Sequence, residues 1–144
     1  MNLKNYTSSV AATTSASAIE ALLVEAGATS IMKWYENKQL VGFLFQIVLK
    51  GQLLRFRLPA NEERVYQVMA NKSGVPTGAK KVSLRAQASR TAWRTLHEWV
   101  QIQVSMIQME QVEPLQVFLP YNYDETTGTT FYDQVQSGSV KLLT

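Results

Sequence analysis

The stretch LVGFLFQIVLKGQLLRFRLP, residues 40–59, decides the fold class. Val41, Phe43, Phe45, Ile47 and Leu49 alternate with Gly42, Leu44, Gln46, Val48 and Lys50, which is the two-residue period of a strand with one apolar face. Lys50-Gly51 is a tight turn. Beyond it Leu54, Phe56 and Leu58 share a face, with Leu53, Arg55 and Arg57 on the other, and Pro59 ends the strand. Upstream, residues 30–35 read as a further strand with Ile31, Lys33 and Tyr35 on one face, and Glu36-Asn37-Lys38 as its turn. The short turns predict a three-stranded antiparallel meander. Its apolar face needs a cover, and its other face is expected to carry some of Lys33, Arg55 and Arg57.

Helical periodicity flanks this meander. Ser17 reads as the N-cap of a helix over residues 18–26, with Ile19, Leu22, Leu23 and Ala26 at helical spacing and Gly27 as its stop. Residues 1–16, rich in Ser, Thr and Ala, read as a loose arm, leaving 17–144 as one domain. Asn61 reads as the cap of a helix over 62–70, ended by Gly74. KSGVPTGAKK, residues 72–81, reads as an exposed basic loop. Ser83 then opens a long helix to about Met109. Trp93, Leu96, Trp99, Val100, Val104 and Ile107 fall on its apolar arc, and Gln87, Arg90, Arg94, His97 and Gln101 on its polar stripe. Glu113-Pro114 restarts a short helix, DETTGT (124–129) is a turn, and 131–135 a last helical turn. The expected fold is therefore α+β: an N-terminal helix, the meander, one long helix and short C-terminal helices, packed on one sheet face.

Two segments carry a resemblance. RAQASRTAWRTLHEWV (85–100) and MEQVEPLQVFLPYNYDETTGTTFYDQ (109–134), together with GQLLRFRLP (51–59) and the PTG before the long helix, are similar to a family of small proteins encoded by bacteriophages and prophages. The similarity spans residues 18–135. It implies a phage setting and this fold, and it carries no mechanism or site.

The chain has no cysteine, which removes disulfides and thiolate ligands and favours a reducing compartment. The first residues lack the apolar segment of an export signal. The longest apolar run, 40–49, is too short for a bilayer, which needs about 20 residues. The expected location is the host cytoplasm, without a membrane partner. Catalysis has little support: His97 is the only histidine, and Ser83, Ser89 and Ser105 lie in no nucleophile elbow. Asp124, Glu125 and Asp133 lack the alternation of a calcium loop, and GVPTGAKK (74–81) misses the spacing of a phosphate-binding loop. The chain is read as a non-enzyme without cofactor or metal.

Charge is the remaining signal. From Lys33 to Arg94 twelve Lys or Arg face three Glu, whereas from Thr95 onward Lys141 is the one cation against six carboxylates. Lys72, Lys80, Lys81, Arg85, Arg90 and Arg94 form the best constellation, with Lys33, Arg55 and Arg57 as an extension and Trp34 and Tyr35 as base-stacking candidates. The leading expectation is nucleic-acid binding, single strands preferred, DNA included. One competing account has Arg90 and Arg94 pairing with the acidic C-terminal third. The alternative function is a protein-interaction or assembly module: a homo-oligomer, a virion component, or an inhibitor of a host system. Phe118, Tyr121, Tyr123, Phe131 and Tyr132 would anchor such an interface.

Overall fold

Two two-residue turns set the sheet. Asn37-Lys38 and Lys50-Gly51 have positive φ at both positions, the pattern of primed hairpin turns whose twist matches the flanking strands. In this computed structural model, which describes residues 3–143, they join β1 (Ala28–Glu36), β2 (Gln39–Leu49) and β3 (Gln52–Pro59) into an antiparallel sheet in that order. The register pairs Ile31 with Phe45 and Phe45 with Phe56. Phe43, Phe45, Ile47, Phe56 and Leu58 are buried, as their alternation requires. The other elements are α1 (Ala12–Glu25), α2 (Glu62–Ser73), α3 (Gly78–Gln108), α4 (Pro114–Phe118), a 3-10 turn (Leu119–Tyr121), the two-residue strands β4 (Tyr123–Asp124) and β5 (Thr129–Thr130), and α5 (Phe131–Gln136). The expected α+β class and order of main elements hold, and the small β4–β5 sheet is an addition to them.

Contacts divide the chain into two compact units. The first is Met1–Leu22 with Ala60–Ile102, and the second is Leu23–Pro59 with Gln103–Thr144.

In the first unit α2 and α3 make a helical hairpin. Tyr66, Met69 and Ala70 of α2 and Ala88 of α3 form its centre, with Tyr6, Val65 and Leu84 packed against them. Ala88 and Ala92 are small, which allows close approach of the helices. Trp93 is 2% exposed, and its Nε1 donates to Glu62 Oε1 at 2.6 Å, tying α3 to the first turn of α2. Two helix starts and one helix cap differ from expectation. Helix α1 starts at Ala12, not after Ser17, because Ser15 and Ala16 continue the buried stripe of Ile19 and Leu23 one turn upstream. Asn61 precedes α2 in the left-handed region (φ 60°) but makes no side-chain cap. Helix α3 starts at Gly78, so Lys80 and Lys81 sit on its first turn instead of in a loop; Ala79, Lys80 and Lys81 all favour helix.

The second unit is the sheet with the C-terminal segment. Phe118 is fully buried, with its ring 5.2 Å from Phe45, edge-on at 79°, and 5.8 Å from Phe56. Glu113 and Gln116 cap α4 reciprocally, and Thr130 and Asp133 do the same for α5. Asn122 pairs with Phe56 and its Nδ2 donates to the Arg55 carbonyl at 3.0 Å, so the segment borders the β3 edge. Gly42 permits the close approach of β2 and β3: a Cβ there would lie 2.4 Å from the Leu58 carbonyl oxygen.

Candidate nucleic-acid interface

The nine candidate cations divide between the two units. Arg55 and Arg57 share one sheet face, but Lys33 pairs with Phe43 in the register and so lies on the opposite face. Two of the three strand cations therefore share that face, and Lys33 does not. Arg57 is held by its own unit. Its guanidinium lies 5.1 Å from the Trp34 ring and 4.9 Å from the Tyr123 ring, and Nη2 meets Asp133 at 3.5 Å. Trp34 thus stacks on an internal arginine. Arg55 pairs with Glu125 at 3.0 Å. Both carboxylates come from the acidic C-terminal third. Tyr35 is exposed and Lys33 is exposed, without a hydrogen bond or ion pair among the described residues.

In the first unit the three arginines are also engaged. Arg85 stacks 3.9 Å over Tyr66 and pairs with Glu63 at 2.8 Å, bracing α3 on α2. Arg90 Nε donates to the Ser8 carbonyl at 3.2 Å and its Nη2 to Gln87 at 2.7 Å. Arg94 bonds Glu98 at 3.1 Å, one helical turn on, and approaches His97 Nδ1 at 3.3 Å. What remains is the tip of the hairpin. Lys72, Lys80 and Lys81 are exposed and make no ion pair or hydrogen bond among the described residues, although Lys81 lies within electrostatic reach of Glu63. Val75 and Val82 beside them are 83% and 71% exposed. The first turn of α3 contains no acidic residue, so two lysines sit where the helix dipole is already positive.

The sequence reading missed the chain before α1. Residues 4–8 lie along α3 as a strap. Lys4 meets Glu98 at 3.0 Å, and Asn5 Nδ2 donates to the same carboxylate at 3.1 Å. Thr91 donates to the Asn5 carbonyl at 2.8 Å, and Gln87 to the Ser8 carbonyl at 3.1 Å. The segment has no apolar periodicity to announce it; Tyr6, which joins the hairpin core, is the one large anchor.

Titration follows from these contacts. The Lys4 and Asn5 hydrogen bonds hold Glu98 below its ordinary 4.5; the Arg85 hydrogen bond does the same for Glu63; the Thr130 backbone and hydroxyl do so for Asp133. A carboxylate depressed in the fold contributes stability above its unfolded value, lost as pH falls through the folded one. Burial and then Arg94 lower His97 from 6.5, so protonation there also favours unfolding. Stability is therefore expected to decline slightly below about pH 6.5 and more steeply below about 4.5. A urea-midpoint series across pH checks this; a midpoint that rises on acidification contradicts it.

A hollow of about 80 Å3 on the outer sheet face is floored by Met32 and Leu44 and edged by Gln46, Arg55 and Tyr123. It is well below the roughly 300 Å3 at which small-molecule sites begin. Among the described residues no three His, Asp or Glu side chains gather as metal ligands, and no helix is long and apolar enough to cross a membrane. No family model matches the chain, and neither a curated protein nor a solved structure matches it.

Proposed function

We propose that this chain is a non-catalytic phage accessory protein, working in the host cytoplasm, that holds nucleic acid at the tip of the α2–α3 hairpin. The observation that carries the reading is the set Lys72, Lys80 and Lys81: exposed, of one sign, without ion pairs among the described residues. Lys80 and Lys81 oppose the helix dipole at a cost of roughly 0.3–1 kcal/mol each, so stability does not account for them. Lysine binds phosphate as a point charge rather than by the planar fork of arginine, so the contact is to the backbone and indifferent to base identity. Flexible single strands fit such a small footprint best.

A protein-interaction module is the second reading. Met32 and Leu44, and Val48 and Leu53, are cross-strand pairs on the outer sheet face, and Met32, Val48 and Leu53 are 62%, 51% and 50% exposed. One experiment separates the two. Anisotropy of a labelled oligothymidylate is measured at low salt with the wild type and with Lys72→Glu/Lys80→Glu/Lys81→Glu. The tip reading predicts roughly a hundredfold weaker binding by the reversal, with an unchanged circular dichroism spectrum. Equal binding by the two proteins transfers the function to the sheet face, and no binding by the wild type means that the tip lysines alone do not hold the strand.

A further inference from the structure

Lys80, Gln87, Thr91, Arg94 and Glu98 recur at intervals of seven, four, three and four residues, which places them on one line along α3. The lysine end of this line is open. The rest of it is covered by residues 4–8, which bond to Gln87, Arg90, Thr91, Thr95 and Glu98. A polyanion anchored at Lys80 and running along α3 would reach Arg90 after roughly 15 Å. There it would meet the strap. The Ser8 carbonyl occupies the Arg90 Nε donor as a phosphate oxygen would.

We propose that the N-terminal strap is a displaceable lid on the continuation of the lysine track, and that its release adds Arg90 as a further phosphate contact. The proposal rests on the tip reading for its ligand. The strap is suited to reversible opening. Its polar links are exposed or half-buried, and Asn5 has φ 58°, a conformation that asparagine tolerates better than most residues. Tyr6 is its one core anchor. Glu98 stays paired with Arg94 after release, because they are neighbours on the same helix, so the track ends there.

Hydrogen exchange of the full chain, with and without the oligothymidylate, reads the lid directly. The Tyr6 and Ser8 amides, bonded to the Leu3 and Asn5 carbonyls, are expected to lose protection on binding. Lys4→Ala/Asn5→Ala, which loosens the strap, is expected to bind roughly five- to tenfold more tightly, because less of the free protein is closed. Arg90→Ala is expected to flatten the salt slope by about 0.7. If the wild type binds with strap protection unchanged and Arg90→Ala keeps the wild-type slope, the lid is wrong and the tip reading stands. If only the loosened variant binds, the lid stands and the tip lysines are insufficient alone. If neither protein binds, both proposals fail.

Discussion

Trp93→Ala is expected to cost about 4 kcal/mol of stability, among the largest losses from a single substitution in this chain. Trp93 is 2% exposed and is the largest fully enclosed side chain. Its removal leaves a cavity that neighbours cannot fill without moving helices. It also removes the Nε1 donor from Glu62 Oε1, an atom that accepts as well from the Ser89 hydroxyl at 2.9 Å. Trp93→Phe separates the two effects: it retains most of the volume and is expected to cost about 1–2 kcal/mol. Urea midpoints of the three proteins make the comparison. A Trp93→Ala loss below about 1 kcal/mol would mean that the indole is not the brace between α3 and α2.

Phe118→Ala is expected to be about as costly, again about 4 kcal/mol, with a different pattern of failure. Helix α4 has five residues, too few to persist without tertiary anchoring. Its anchor is the Phe118 ring, set edge-on against Phe45 and tilted against Phe56. Without that ring the segment from Pro114 to Gln136 loses its hold on the sheet. Asp133 then leaves Arg57, and Glu125 leaves Arg55. Hydrogen exchange should show residues 114–136 opening before β2. Uniform opening of both would contradict the anchoring role, whereas Phe118→Leu should behave nearly as the wild type.

The sheet was legible in the sequence because its determinants are local. Alternation in β2 and β3 and two-residue turns at Asn37-Lys38 and Lys50-Gly51 fix register without reference to anything distant. Gly42 read only as one position of the alternation; that it permits a close approach to the Leu58 carbonyl was not legible, because the partner strand sets that contact. The basic surface was less legible because charge partners are not local. Arg57 is 76 residues from Asp133, and Arg90 is 82 from Ser8. Four of the arginines that look like a patch in sequence, Arg55, Arg57, Arg85 and Arg90, are engaged by tertiary contacts, and Arg94 by Glu98 one helical turn on, each exposed pair worth little alone. The start of α3 was placed too late because Ser83 resembles a cap, while Ala79-Lys80-Lys81 already favours helix. The strap carries no periodicity and was read as loose, although Lys4 and Asn5 are bound to Glu98.

These partners leave four of the nine candidate cations without an ion pair or side-chain hydrogen bond among the described residues: Lys33, on the sheet face opposite Arg55 and Arg57, and the three clustered tip lysines, to which the proposed opening of the strap would add Arg90. The salt dependence of oligothymidylate binding tests that count most directly. Each neutralised phosphate contributes about −0.7 to the slope of log K against log salt on a single strand, so three lysines give about −2 and four contacts about −2.8. A slope in that range, removed by reversing Lys72, Lys80 and Lys81, is the result expected. A slope near zero, or no binding at low salt, contradicts the account.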